Sequence, residues 1–202
     1  MIYIKQKAGT EMKIKHVSKT ERGEYVMITL VGEKKALTLT DELYSSLGEP
    51  SVGYELSADE YSELLLADSY YRATKKALNI LSFGDNSKRK LYEKLRRGGF
   101  SAEICRRTVD DMGKLGYVNE EKQLQRLASA LANVSLFGPK RITAKLMNSG
   151  YAPEDICRAI SALTECGEID FDTSFEKLKE KNLGENTDSE AIAKLRYKYG
   201  YR

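Results

Sequence analysis

The sequence predicts a mainly α-helical protein: tandem three-helix repeats with a period of about 51 residues, preceded by a small N-terminal antiparallel β meander. Three observations predict it. Apolar spacing changes from a period of 2 to a period of 3.6 after Gly48-Glu-Pro50. The helical part matches itself when shifted by 51 positions. The composition, 41% hydrophobic and 31% charged with only three prolines in 202 residues, is that of a folded, helix-rich chain.

The meander comes first. Met12-Lys-Ile14-Lys-His16 alternates, Tyr25 to Val31 is a β-branched and aromatic run, and Ala36-Leu-Thr-Leu39 makes a third short strand, with Gly23 and Gly32 at the turns. An acidic connector follows. Ser57-Ala-Asp-Glu60 then has the spacing of a capping box, in which the Ser and Glu side chains satisfy each other's free helix-start amides.

The repeat is carried by eight coincidences in one register. Leu91 meets Ile142, Leu95 meets Leu146, Gly99-Phe100 meets Gly150-Tyr151, Val109 meets Ile160, Met112 meets Leu163, Gly116 meets Gly167, Val118 meets Ile169 and Leu124 meets Phe175. The first period reads as a long helix with the stripe Tyr70, Thr74, Ala77 and Leu81, a short helix capped by Ser87 with Leu91 and Leu95 inside, and a third capped by Ser101. In the second, Leu124 to Leu131, then Ile142 and Leu146, then Ile156, Ile160 and Leu163 repeat the scheme, with Pro139 and Pro153 near helix starts. A third period opens with capping-box spacings at Thr173 to Glu176 and Thr187 to Glu190 and holds two helices. The expected division is therefore residues 1–56 for the meander and connector, 57–118 and 119–169 for two full repeats, and 170–202 for a shortened third.

Charge is distributed unevenly along the chain. The net charge is +3, yet residues 40–71 hold eight acids and no Lys or Arg, whereas residues 72–107 hold eleven bases against three acids. Such a split suits a molecule with one face for a polyanion or an acidic protein surface. Pairing of the acidic segment with the basic helix inside the molecule is the expected use of those acids, ahead of mimicry of nucleic-acid charge. On the short basic helix, Leu91 and Leu95 face inward. That leaves Arg89, Tyr92, Glu93 and Arg96 outward with Lys90, Lys94 and Arg97 at the flanks. An aromatic among guanidiniums is a binding composition. The 51-residue shift places Lys140, Arg141 and Lys145 where Arg89, Lys90 and Lys94 stand.

Chemistry is scarce. The sequence has no phosphate-loop, dinucleotide-fold, serine-elbow or HExxH motif. Its single histidine, His16, sits in a strand without a catalytic neighbour. Cys105, Cys157 and Cys166 form no CxxC pair and are expected as reduced core thiols, so no metal site and no cofactor are expected. No apolar run approaches the roughly 18 residues of a membrane helix, and the N-terminus lacks a secretory apolar region, so the expected setting is the cytoplasm, away from any membrane.

The strings Ala77-Leu-Asn-Ile-Leu-Ser82, Ser87 to Leu95, Gly99-Phe-Ser101 and Leu115-Gly-Tyr-Val-Asn119, followed by Gly138-Pro-Lys-Arg-Ile142, Leu146 and Gly150-Tyr151, resemble the bacterial RecX regulatory proteins. The resemblance runs in order over roughly residues 12–201. It departs at Phe83-Gly84-Asp85-Asn86, where the family more often has an arginine-bearing turn. It departs again near Gly200-Tyr201, where one extra residue enters and a final helix is missing. The resemblance implies a non-enzymatic modulator that binds the RecA recombinase and its filament on single-stranded DNA, and the chain is expected as a monomer. In that role it limits filament extension, ATP hydrolysis and strand exchange in recombination, DNA repair and the SOS response. The alternative is a direct DNA-binding regulator of helix-turn-helix type, using the basic stretch against phosphates.

Overall fold

The computed structural model describes residues 12–184 and 188–201. Among them are three strands, β1 (Ile14–Lys19), β2 (Tyr25–Leu30) and β3 (Leu37–Thr40), followed by helices α1 (Asp41–Ser46), α2 (Ala58–Ser82), α3 (Lys88–Arg97), α4 (Ala102–Lys114), α5 (Glu120–Asn133), α6 (Pro139–Asn148), α7 (Pro153–Glu165), α8 (Phe171–Leu183) and α9 (Ser189–Tyr199). The fold is mainly helical behind an antiparallel meander of order β1-β2-β3, as the sequence predicts. Two compact units divide the chain, Met1–Asn79 with Gly98–Thr108 and Ile80–Arg97 with Val109–Arg202.

In the first unit, β2 alternates so that Val26, Ile28 and Leu30 are buried. They pack with Ile14, Leu39, Tyr44, Leu56 and Leu64, the last from the start of α2. The capping box forms as spaced: the Ser57 amide donates to Glu60 Oε2 at 2.7 Å, and the Glu60 amide to Ser57 Oγ at 3.3 Å. Buried Asp68 of α2 accepts the Thr38 amide at 3.2 Å and faces Arg72 at 3.5 Å. Tyr71 meets Tyr25 edge-on with ring centroids 4.9 Å apart.

In the second unit the period is visible in the helix bounds: Lys88–Arg97 and Pro139–Asn148 lie 51 positions apart at both ends. Leu124, Ala128, Ile142, Leu146, Ile156, Leu163 and Ile169 form one apolar core, and Phe175, Leu178 and Leu195 a second, smaller one. The middle helices of successive repeats meet end to end. The Ser87 hydroxyl, at the start of α3, donates to the Ser149 carbonyl just after α6, at 2.8 Å. At the start of α6, the Gly138 amide donates to the Tyr199 carbonyl at 2.8 Å and the Lys140 amide to the Gly200 carbonyl at 3.1 Å. At the α6–α9 joint, free amides of one helix start thus take free carbonyls of the other helix end. Contact is too close for side chains. A Cβ on Gly138 would lie 2.5 Å from the Gly200 carbonyl group, and one on Gly150 would lie 2.6 Å from Ser87 Oγ. Tyr201 closes the joint: its hydroxyl donates to the Leu136 carbonyl at 3.3 Å, its ring packs on Phe175 at 5.0 Å, and burial pushes its phenol up to about 12.

Four local expectations are corrected. The acidic connector contains a helix, α1, whose start is capped by Thr40 Oγ1 accepting the Leu43 amide at 3.3 Å. The buried side of α2 is Leu64, Asp68, Ala73 and Ala77, so only Ala77 of the expected stripe is fully inside, because the helix starts on the sheet and its phase is set there. Helix α8 is capped by Asp170, not Thr173: its carboxylate accepts two amides and the Thr173 hydroxyl at 2.6 Å, which holds the acid below the usual carboxylate range. Only Cys105 is a core thiol, since Cys157 and Cys166 are exposed on and just after α7. Thr187 lies outside the described residues, and α9 is capped by Asp188.

Because Gly138 has an ordinary φ of −75°, Gly138→Ala adds no backbone strain and tests the joint alone. The variant should lose about 1–3 kcal/mol in thermal or denaturant unfolding and open α8 and α9 to limited proteolysis before the rest of the chain. Native-like stability and cleavage would refute the close-contact role.

Candidate protein-interaction surface

Basic side chains collect on the middle helices of the repeats. Helix α3 carries six bases and one acid, α6 three bases and no acid, and α9 three bases and one acid. The third helices do not follow: α4 balances three bases with three acids, and α7 has one base against three acids. A sum near zero therefore conceals a positive row whose members are joined end to end.

On α3, Leu91 and Leu95 are fully buried, which turns the charged residues outward. Arg89 is well exposed and pairs with Glu93 one turn on, at 3.1 Å, and Arg97 Nε donates to the Glu93 carbonyl at 3.3 Å. Arg96 is exposed, and Tyr92 and Lys90 are half-buried. Lys94 is anchored: its ammonium donates to Asn86 Oδ1 at 2.6 Å, while Asn86 Nδ2 donates to the Gly84 carbonyl at 2.9 Å. Lys94 thus stiffens the turn ahead of α3 instead of presenting a free charge.

On α6 the three expected bases separate by role. Lys140 and Lys145 are exposed, Lys145 standing 5.2 Å from the Phe137 ring. Arg141 is a clamp. Its guanidinium lies 4.3 Å from the Phe137 ring and 5.4 Å from the Tyr199 ring, and it donates to the Lys198 carbonyl at the end of α9. A planar, always-charged group that stacks and donates together suits this place better than an ammonium.

Helix α9 extends the row with Lys194, Arg196 and Lys198, which the sequence reading left out. Arg196 covers Phe175 at 4.4 Å, Lys198 lies 5.6 Å from the Tyr199 ring, and Lys194 pairs with Glu190 at 2.7 Å. The alternation Lys194-x-Arg196-x-Lys198 is a visible signal, but this helix stands out of the 51-residue register, with Leu195 only 49 positions after Leu146 and Gly200 50 after Gly150. Two acids of the 40–71 segment pair with bases of their own unit: Lys19 holds Asp41 at 2.7 Å, and Arg72 faces Asp68.

His16 is exposed on β1. Among the described residues no group of three or more His, Cys, Asp or Glu could hold a metal ion, and no helix is long and apolar enough to cross a membrane. A groove of about 330 Å³ between α5 and α7 is lined by Glu120, Glu121, Leu124, Asp155 and Arg158, with Arg158 paired to Asp155 at 3.2 Å.

Comparison with known proteins agrees with this architecture. The family description "RecX, first three-helix domain" matches residues 73–112, which run from within α2 to near the end of α4. A regulatory protein RecX of Clostridioides difficile is 35% identical over 124 residues, covering 61% of this chain and 55% of that protein. One of Streptococcus uberis is 23% identical over 177 residues, covering 88% of this chain and 65% of that protein. The chain thus spans between 55% and 65% of the length of these two relatives. A crystal structure of a regulatory protein RecX superposes with a TM-score of 0.69 over 94% of this chain and 92% of the other, at 18% identity, and so shares the fold. With residues 73–112 matched in sequence to the first three-helix domain and the meander and helical array matched in fold, this chain is similar to the RecX regulatory proteins.

Proposed function

We propose that the chain is a non-enzymatic regulator that binds the RecA recombinase and its filament on single-stranded DNA, in the cytoplasm and as a monomer. By doing so it limits filament extension, ATP hydrolysis and strand exchange in recombination, DNA repair and the SOS response. The observation that carries this reading is the row of basic middle helices joined end to end within an array of repeats. Residues 57–118, 119–169 and 170–202 act as successive contact modules. A helical polymer presents the same acidic surface again and again, so modest contacts from consecutive repeats add through effective concentration.

The alternative, a direct DNA-binding helix-turn-helix regulator, has less support. Such modules place their third helix in the major groove and often use helix-start amides on phosphates. Here the exposed side of α7 bears Glu154 and Glu165 with one arginine, and the start of α6 already gives its amides to Tyr199 and Gly200.

The deciding experiment titrates the chain into the cognate RecA ATPase on single-stranded DNA, with its own DNA binding followed in parallel. Inhibition is expected far below the concentration that coats bare DNA. An effect that appears only once DNA is occupied, and that weakens by orders of magnitude between about 50 and 200 mM salt, as about six to ten phosphate contacts require, would favour the direct DNA binder. The double variant Arg89→Glu and Arg96→Glu should keep its circular dichroism and melting temperature while inhibition weakens about tenfold or more; full inhibition by the folded variant would remove α3 from the contact. Arg141→Lys should instead lower stability by about 1 kcal/mol, read by chemical denaturation, with the inhibition of the folded protein retained.

A further inference from the structure

Two large apolar side chains stand almost fully in solvent at equivalent places in consecutive repeats. Phe83 is 85% exposed and Val134 is 82% exposed. They lie 51 positions apart, each in the turn between the first and the middle helix of its repeat. A single exposed apolar residue needs no explanation. Recurrence at the repeat period, in turns that are otherwise held firmly, does.

Both turns are tied down by hydrogen bonds. Around Phe83, the Gly84 amide donates to the Leu81 carbonyl at 3.2 Å, Asn86 ties Gly84 to Lys94, and Asp85 pairs with Arg126. Around Val134, its amide donates to the Ala130 carbonyl at 3.0 Å, Asn133 Nδ2 donates to the Glu168 carbonyl at 2.9 Å, and the Phe137 amide to the Leu131 carbonyl at 3.0 Å. Leu136 takes a φ of +53°, a conformation unfavourable for a leucine. That twist puts the Leu136 side chain against the cluster of Phe175, Leu178 and Leu195 and leaves Val134 projecting. An anchor fixed before binding loses little entropy when it docks.

We infer that Phe83 and Val134 are paired apolar anchors, each of which enters an apolar pocket rimmed by carboxylates on successive protomers of a repeating protein partner. The rim follows from the charge of the helix that each turn leads into: Lys88, Arg89 and Lys90 come five to seven positions after Phe83, where the nearer Asp85 is already paired with Arg126, and exposed Lys140 comes six positions after Val134. A protein pocket fits better than a nucleic-acid base, because valine has no aromatic face on which a base could stack. The inference rests on the filament reading above and adds to it the features that set spacing and register along the polymer, which the basic row alone cannot fix.

The test uses the full chain with Phe83→Ser, Val134→Ser and both together, since exposed positions tolerate serine without loss of fold. Binding to the cognate RecA filament on single-stranded DNA is measured by fluorescence anisotropy, beside binding to the same DNA without RecA and sedimentation of the free chain. Phe83→Ser should weaken filament binding about tenfold to a hundredfold. Val134→Ser should weaken it less, the double variant by roughly the product of the two, and binding to bare DNA should not change. Filament binding by the wild type together with an unchanged double variant would overturn the anchors and leave the filament reading standing. No filament binding by the wild type would overturn both. Serines that shift the sedimentation of the free chain and not filament binding would make the tips a self-association surface and would likewise overturn the inference.

Discussion

The array depends on a joint where two backbones touch with no room for a side chain. At the meeting of α6 and α9, two amides of one helix start take two carbonyls of the other helix end, and Gly138 faces Gly200 at a distance that any Cβ would violate. Burial of such polar groups is tolerable only because each finds a partner. Gly200 itself has a φ of +82°, which a glycine adopts without steric cost. Around this contact the larger groups close in: Arg141 stacked between Phe137 and Tyr199, Tyr201 over Phe175, Leu136 twisted into the same cluster. The α3 and α6 joint uses a different solution, a serine hydroxyl bridging to a carbonyl. The two joints are alike in place and unlike in chemistry, and each fixes where the next basic helix begins.

Much of this was legible in the sequence because the repeat is periodic in the residues that must be inside. Leu91 and Leu95, Ile142 and Leu146, and Ile156 and Leu163 are all buried, and helix ends fall where glycine follows the apolar stripe. The failures are local. Helix α1 is only six residues long, too short for periodicity to register, although Thr40-Asp41-Glu42 is a fair start signal. At α8, a Thr and Glu in box spacing competed with an Asp three residues earlier, and a carboxylate is the stronger acceptor for free amides. The outward position of Arg89 and Arg96 follows from helix geometry alone. That of Arg141 does not, because its partners at residues 198 and 199 belong to another repeat, and no pattern within one helix contains them. Lys94 is the same case on a smaller scale, removed from the free surface by Asn86.

Charge is segregated by helix position, not by sequence half. The middle helices are basic and the third helices neutral or acidic. Bases near the start of α3 and α6 work against the helix dipole, a small local cost that ordinary folding would not favour. Their recurrence there points to a demand from outside the helix. An extended face of one sign raises encounter rates with an oppositely charged polymer while the low net charge limits indiscriminate adhesion.

The meander invites a different consideration. A three-stranded sheet has two edges, and each is a template on which a foreign strand could grow. Here the backbone of residues 54–56 pairs with the start of β1, through Ile14 to Tyr54 at 2.9 Å and Leu56 to Met12 at 2.8 Å. On the other side, β3 has four residues and gives its Thr38 amide to the buried carboxylate of Asp68. Each margin is therefore partly covered by the chain's own groups, which limits edge-to-edge aggregation. The basic row proposed for association lies on helices, where contact is reversible, and away from the strands, where it tends not to be.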